Sequence, residues 1–239
     1  IGASGDDAIT VNGTGSKTIN GGPGTDSVTI TVGGISSVGD FKSISRSSKA
    51  SDSSMTLTYA NNDTIVLQGI ETFTVNGKTY TDVVSEHAHD GFLGNLWNAS
   101  EHAIYLYNRN DYSGASTHFN HHSNYKSYYP GIESESTRDL KIVGSIYGDG
   151  VTLSVDRVKD GSSDYELSGS YLINLGDGGD AIHSARLIAG DSIEMGSGDD
   201  TIWINNSASS IAKLDGGAGS DTLYPGNASS TLTLIAFFP

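Results

Sequence analysis

Apolar and polar residues alternate over short stretches along much of this chain, and turns rich in Gly and Asp separate the stretches. Alternation with a period of two is the pattern of a β-strand, whose successive side chains point to opposite faces of a sheet. Near the N-terminus, Ile9, Ile19 and Val28 each follow a Gly-containing turn and occupy apolar positions of such strands. The pattern therefore predicts an all-β protein built from many short strands.

The turns near the N-terminus form a repeat. Three units can be aligned, GASGDDAIT, NGTGSKTIN and GGPGTDSVT, which begin at residues 2, 12 and 21. The third unit matches the calcium-binding nonapeptide G-G-x-G-x-D-x-U-x in full, where U is a large apolar residue. Its glycines allow a turn with positive φ, its Asp places a carboxylate inside the turn, and U points into the core. The sixth position carries Asp7, Lys17 and Asp26 in the three units.

This repeat resembles that of the RTX (repeats-in-toxin) family of secreted bacterial proteins. The resemblance implies a parallel β-roll in which oxygen ligands from neighbouring turns hold calcium. Because successive turns alternate between two edges of the roll, we expect Asp7 and Asp26 to share a calcium, together with Gly5 and Gly24 of the same turns. Lys17 stands on the opposite edge, where we expect its ammonium to fill a vacant site.

A second set of units lies near the C-terminus. The units are RLIAGDSIE, MGSGDDTIW, INNSASSIA and GGAGSDTLY, beginning at residues 186, 195, 204 and 216. The same alternation predicts one good calcium site, formed by Asp200, Asp221, Gly198 and Gly219. On the other edge, Asp191 faces Ser209, which predicts a degraded site.

Between the two repeat blocks the pattern changes. Residues 33–85 are expected to form a β-meander, and Asn76-Gly77 between apolar stretches is a strong signal for a type I′ hairpin turn. This spacer resembles segments that accompany RTX repeats. We assign it a structural role, and Glu71 is a minor candidate for a position near calcium.

Residues 100–188 contain a further repeat of a different kind. The stretch AIYLYNRNDYSG has the aromatic and Gly spacing that resembles the folded hairpin of a βγ-crystallin Greek key, and VTLSVDRVKDG repeats part of it. The segment GDAIHSARLI resembles the calcium motif of that family, with Asp180 as its acidic residue and Ser184 as its final Ser. The resemblance implies a Greek-key sandwich, and we favour that fold over calcium binding by it.

These patterns divide the chain into four parts: an N-terminal β-roll over 1–32, a β-meander over 33–85, the crystallin-like sandwich over 100–188 and a C-terminal β-roll over 189–239.

The 239 residues carry a formal net charge of −15, which argues against nucleic acid or anionic membrane as partners and favours cations. Carboxylates gathered around calcium repel one another without it, so we expect calcium (Ca²⁺) to contribute directly to folding. There is no cysteine, so disulfides do not contribute.

Motifs of common enzymes are absent from the sequence, which has no H-E-x-x-H, no G-x-S-x-G and no cysteine nucleophile. Seven histidines, including His87 and His89, fit a zinc or copper site or, more simply, polar loops. The tyrosines between residues 105 and 129 fit a sugar-binding surface or core packing. We therefore predict a protein that is not an enzyme.

The predicted function is that of a calcium-dependent structural module of a secreted RTX-like surface protein. Such a module supports assembly or adhesion in a surface layer, a biofilm matrix or a large adhesin, by self-association or by contact with other surface proteins or glycans. The resemblance implies export by a type I system, and we expect neither a signal peptide nor membrane insertion. Two alternatives stay open: a glycan- or protein-binding adhesin module, and the non-catalytic tail of a secreted hydrolase.

Overall fold

In the described part of the protein, nearly all of the regular secondary structure is β-strand, as the alternation predicts. The computed structural model describes residues 2–46, 54–87, 91–109, 117–121, 140–153, 157–160, 163–166, 170–184, 190–204 and 213–225. The strands of the first half are β1 Ala8–Asn12, β2 Lys17–Asn20, β3 Ser27–Thr31, β4 Ser43–Arg46, β5 Met55–Thr58, β6 Thr64–Gln68, β7 Thr72–Val75, β8 Lys78–His87, β9 Gly91–Asn98, β10 Ala103–Leu106 and β11 Asn108–Arg109. Those of the second half are β12 Thr117–His121, β13 Leu140–Val143, β14 Asp149–Leu153, β15 Arg157–Asp160, β16 Ser163–Glu166, β17 Tyr171–Asn174, β18 Ala181–Ser184, β19 Ser192–Glu194, β20 Thr201–Ile204, β21 Lys213–Asp215 and β22 Thr222–Pro225. A single 3-10 turn spans Val38–Asp40 among the described residues.

One large sheet runs through both halves of the protein. Its ten strands have the order β1-β3-β7-β8-β9-β10-β13-β17-β19-β21. A five-stranded sheet, β11-β4-β5-β6-β2, accompanies the N-terminal half, and another, β12-β14-β18-β20-β22, accompanies the C-terminal half. Strands β15 and β16 form a separate antiparallel hairpin.

The N-terminal strands wind as a parallel roll. Strands β1, β3 and β7 are parallel neighbours in the large sheet, while β2, which lies between β1 and β3 in sequence, pairs with β6 in the smaller sheet. The register places Ile9 level with Val28, and both are apolar positions of their units. Successive turns therefore alternate between two edges, which confirms the predicted parallel roll at this end.

The C-terminal half winds in the same way from Leu140 onwards. Strands β13, β17, β19 and β21 are parallel in the large sheet, and β14, β18, β20 and β22 are parallel in the smaller one. The Greek-key sandwich expected over residues 100–188 is not confirmed. A Greek key is antiparallel, whereas β13, β14, β17 and β18 pair in parallel with one another and with the strands of the C-terminal repeats, and only the β15–β16 hairpin among the described strands of residues 140–184 is antiparallel. The division of the chain nearer the N-terminus, at residues 32 and 85, stays a prediction.

An antiparallel meander joins the two rolls. Strands β7, β8, β9 and β10 pair antiparallel in succession. Asn76 and Gly77 connect β7 to β8 with φ of 47° and 82°, and Val75 pairs with Lys78, so the predicted two-residue hairpin turn is confirmed.

The two rolls have separate cores on opposite faces of the large sheet. On strand β10, Ile104 and Leu106 belong to the C-terminal core, whereas Ala103 and Tyr105 belong to the N-terminal core. Successive side chains of a strand point to opposite faces, so each core covers one face. All four residues of β10 are buried, as expected for a strand covered on both sides. Within the described ranges, no helix has the length and apolar character needed to span a bilayer.

Candidate metal centre

Four Gly- and Asp-containing turns stack on one edge of the C-terminal roll. They span residues 144–149, 175–180, 195–200 and 216–221, and each leads from a strand of the large sheet into a strand of the smaller one. The second and fourth positions of the last three turns are glycines with positive φ, for example 105° and 142° at Gly196 and Gly198. Only glycine adopts such values readily, so these glycines determine the shape of the turn.

The same glycines let consecutive turns approach closely. A Cβ atom at Gly198 would overlap the carbonyl oxygen of Gly178, and one at Gly219 would overlap that of Gly198. Backbone hydrogen bonds join the turns, because the Gly198 amide donates to the Ala218 carbonyl and the Ala218 amide donates to the Gly196 carbonyl, both at 2.8 Å. The stacked turns therefore bring the sixth residue of each one next to that of the following one.

These sixth residues form a row of aspartates, called here the C-terminal ladder. It consists of Asp149, Asp180, Asp200 and Asp221. The amide of each of the first three donates to the Oδ1 atom of the next Asp, at 2.7, 2.7 and 3.1 Å. One carboxylate oxygen of each later Asp is thus used to join the turns.

The other oxygen of these side chains lacks a partner. The Oδ2 atoms of Asp180, Asp200 and Asp221 are buried and have no hydrogen-bond partner in the described part of the chain. Asp180 and Asp200 are only 2% and 1% exposed. Asp149, at the end of the ladder, differs because it accepts bonds from the amide and hydroxyl of Ser145 at 2.6 and 3.1 Å. Buried polar atoms are normally paired, so three aligned unpaired oxygens need an explanation.

A shorter row, the N-terminal ladder, has the same construction. The Asp7 amide donates to Asp26 Oδ1 at 2.8 Å, and the Asp26 amide donates to Glu71 Oε2 at 2.7 Å. Asp7 Oδ2 accepts the amide of Ala3 in its own turn at 2.8 Å, whereas Asp26 Oδ2 is buried without a partner among the described residues. Glu71 therefore takes the place of an aspartate in the third turn.

Burial raises the pKa values of carboxyl groups in the C-terminal ladder. Desolvation raises the pKa of Asp149 to about 8 and that of Asp180 to about 7, and the neighbouring ladder carboxylate adds to each shift. The pKa of Asp200 is also raised, chiefly by burial, with contributions from Asp221 and Asp199. In the absence of a cation, the folded protein therefore resists ionisation of this row.

These shifts predict how the folding of the calcium-free protein depends on pH. Near pH 4 to 8 the folded state keeps protons on Asp149 and Asp180 that the unfolded chain releases, so the free energy of unfolding falls as the pH rises through this range. Far-ultraviolet circular dichroism of calcium-free protein should show a stronger β signal at pH 5 than at pH 9. Saturating calcium should remove this difference, and a β signal that rises with pH in calcium-free buffer would contradict the assignment.

The ladders suit a hard divalent cation. Calcium takes oxygen ligands from carboxylates and backbone carbonyls, and both kinds of oxygen occur in the stacked turns. Within the described ranges, no three His, Cys, Asp or Glu side chains converge on one point. Each turn instead supplies one carboxylate to the ladder, so an ion held here would depend on two successive turns and their carbonyls. Asp180, Asp200, Asp221 and Asp26, with their unpaired oxygens, fit that role.

The structure brings most predicted site residues together. Asp7 lies beside Asp26, and Asp200 lies beside Asp221. Gly5, Gly24, Gly198 and Gly219 occupy the fourth positions of their turns, with φ between 116° and 151°. Whether these residues bind calcium stays a prediction.

Asp180 and Ser184, the acidic residue and the final Ser of the crystallin-like motif, lie at opposite ends of strand β18, and their role in such a motif stays a prediction. Asp180 precedes strand β18, and Ser184 is the last residue of that strand. Four residues of extended chain separate their Cα atoms by roughly 13 Å. Asp180 belongs to the C-terminal ladder, between Asp149 and Asp200.

On the opposite edge, Asp191 was predicted to face Ser209, which lies outside the described residues, so this pairing stays a prediction. Strand β19 pairs in parallel with β21, with Ser192 level with Lys213 and Ile193 level with Leu214. Asp191 is 1% exposed, and its Oδ1 atom accepts the Tyr171 amide at 3.0 Å, so this carboxylate joins strands β17 and β19.

Sequence reasoning missed Asp149, assigned Asp180 to another motif and named Glu71 only as a minor candidate for a position near calcium. The turn before Asp180 reads LGDGGDAIH, which keeps the G-x-G-x-D-x-U spacing and is detectable by it. Asp149 follows GSIYG, where Ser and Tyr replace the two turn glycines, and Glu71 follows a turn with a single Gly. Neither turn has a local repeat signal strong enough to place its carboxylate in a ladder.

The aromatic residues divide between the core and an exposed stack. Tyr105 and Tyr107 are buried in the N-terminal core, which favours their role in packing over sugar binding. On the outer face of the smaller C-terminal sheet, the Trp203 ring stacks on His183 and Tyr224, with centroid distances of 4.2 and 5.4 Å. These three residues come from adjacent strands, so the stack exists only when β18, β20 and β22 are assembled.

No protein-family model and no curated protein sequence matches this chain. Among solved structures, the chain is similar to the extracellular lipase LipA from Serratia marcescens, with 14% sequence identity and a TM-score of 0.23. The alignment covers 97% of this chain and 32% of the lipase, so the chain spans about a third of the length of that protein. A likeness this weak carries no argument about function.

Proposed function

We propose that this chain is a calcium-dependent structural module of a secreted RTX-like surface protein, which supports assembly or adhesion. The observation that supports the proposal is the row of buried aspartates with unpaired Oδ2 atoms in the C-terminal ladder. Like charges at the spacing of adjacent strands, about 4.8 Å, repel one another strongly away from water. A divalent cation between successive turns supplies the missing positive charge and the missing partner.

The glycines and aspartates of the turns would position the ligands for such an ion. The positive-φ glycines hold the turns in a shape that lets carbonyls and carboxylates approach one ion. The Oδ1 atoms accept hydrogen bonds from backbone amides of the preceding turn and so keep successive turns in register. The Oδ2 atoms stay available for the ion. Closing the turns aligns the parallel strands that follow them, and the outer faces of the sheets then become fixed surfaces for assembly or adhesion.

Folding that depends on calcium would suit a secreted protein. At the low calcium concentration of the cytosol the carboxylates would repel one another and the chain would stay loosely folded and competent for export. Extracellular calcium modules bind at about 10⁻⁴ to 10⁻³ M, so the turns would close outside the cell. Binding that favours the folded state adds directly to its stability.

A calcium titration tests the proposal. Protein in EDTA should have a weak β signal in circular dichroism, and calcium at about 10⁻⁴ to 10⁻³ M should restore it. The fluorescence of Trp203 should change over the same range, because its stacking on His183 and Tyr224 requires assembled strands. Magnesium is the control, since its smaller ion demands octahedral geometry and keeps several waters. A β signal that is the same with and without EDTA would refute the proposal.

A further inference from the structure

The turn at residues 12–17 differs from the ladder turns at one position. Its sixth residue is Lys17, where most of the stacked turns carry Asp. Its backbone is otherwise of the same type, since Gly13 and Gly15 have φ of 71° and 94°. The corresponding glycines of the turn at residues 21–26 also have positive φ. The turn therefore keeps the shape that would admit a cation but lacks the carboxylate.

The Lys17 side chain folds back into its own turn. Its Nζ atom donates to the carbonyl oxygens of Gly13, Thr14 and Gly15, at 3.3, 2.5 and 3.0 Å. An ammonium has three donors and no acceptor, so these contacts match its full capacity. Three carbonyl oxygens gathered around one positive charge are the environment that a bound cation has in a protein.

We propose that the Lys17 ammonium is a covalently tethered substitute for a bound cation, which closes the turn at residues 12–17 without calcium. The closed turn is also fixed from outside. Ser16 Oγ accepts the Thr64 amide at 3.1 Å and donates to Asp63 Oδ1 at 3.4 Å, which joins the turn to the β5–β6 hairpin. One edge of the N-terminal roll is therefore independent of calcium, and this holds whether or not the opposite edge binds it.

Replacing Lys17 with Met tests the inference, because Met keeps an apolar stem and removes the ammonium. In saturating calcium, Lys17→Met should lower the midpoint of thermal unfolding by about 4 °C. The number of calcium ions bound, measured by titration calorimetry, should not change. Lys141→Met is the matched control, since Lys141 is an exposed residue of strand β13 and its loss changes the net charge equally. Equal midpoints for the two variants would overturn the inference, as would a loss of one bound calcium in Lys17→Met.

Replacing Lys17 with Asp tests whether the same turn can bind a cation once it carries a carboxylate. The carboxylate restores the sixth residue of the repeat, so Lys17→Asp should bind one more calcium per molecule than the wild type. Its midpoint should be low in limiting calcium and should recover as calcium is added. A variant that is destabilised and gains no calcium would show that the turn is not a cation site. If the wild type binds no calcium at all, the proposed function fails, whereas the comparison of Lys17→Met with Lys141→Met still decides the role of the ammonium.

Discussion

Asp200→Asn is expected to stabilise the protein in EDTA and to destabilise it in calcium. Asp200 lies in the middle of the C-terminal ladder, 1% exposed, between Asp180 and Asp221. Without calcium, Asn removes a buried carboxyl group whose pKa is raised chiefly by burial, and with it the cost of placing a negative charge there. With calcium, Asn leaves a bound cation short of one carboxylate, and breaking a buried charge pair costs about 3 kcal/mol.

The opposite effects of Asp200→Asn on stability in EDTA and in calcium distinguish a charge effect from a simple loss of packing, which would destabilise the protein in both buffers. Circular dichroism should show a stronger β signal for Asp200→Asn than for the wild type in EDTA, and a lower midpoint of thermal unfolding in calcium. Asp199→Asn is the matched control, because Asp199 is the preceding residue of the same turn and is exposed. Its Oδ1 atom accepts the Ser220 amide at 2.9 Å, so a small loss is expected in both buffers. Destabilisation of Asp200→Asn in both conditions would contradict a charge-based role.

Gly198→Ala is expected to lower the free energy of unfolding by more than about 3 kcal/mol. The φ of 142° at this position is unfavourable for any residue with a Cβ atom, which alone costs about 1 to 3 kcal/mol. The added methyl group would also overlap the Gly178 carbonyl oxygen of the neighbouring turn. Because backbone cannot move aside as a flexible side chain can, the turns would have to separate, and the carboxylates of Asp180 and Asp200 with them.

Gly5→Ala separates the cost of the positive φ from the cost of the steric overlap with the neighbouring turn. Gly5 holds the same fourth position of its turn, with φ of 116°, but a Cβ atom there would meet nothing within 4 Å. This variant should lose only the backbone contribution, about 1 kcal/mol. Urea unfolding in calcium gives both free energies. Equal losses in the two variants would show that the close stacking of turns does not limit stability.

The period of the sequence predicted the local conformation well. Glycines two residues apart, an Asp two residues later and an apolar residue after it define a turn and the start of a strand, as at Gly196, Gly198, Asp200 and Ile202. All of these requirements lie within one unit of the chain. The hairpin at Asn76-Gly77 was predicted for the same reason, since two residues determine its turn.

Prediction failed where two periodic patterns competed. Residues 175–183 satisfy the nonapeptide spacing, but the neighbouring aromatic and Gly residues favoured a Greek key, so Asp180 was assigned to the crystallin-like motif and not to the row of stacked turns in which the structure places it. The start of a neighbouring strand also differs from the repeat spacing. The strand that pairs with β19 begins at Lys213, three residues later than the repeat unit at residues 204–212 implies.

The sequence by itself determined that the protein is all-β, that its turns carry glycine and aspartate at fixed positions, and that Lys17 breaks this rule. Only the tertiary structure decided which turns are neighbours where the repeat is interrupted. It places Glu71 beside Asp26 and Asp149 beside Asp180, pairs that are 45 and 31 residues apart. It also joins the two rolls through one sheet with a core on each face. The physical reason is that a turn's shape depends on its own few residues, whereas the stacking of parallel turns depends on the length and path of the chain between them.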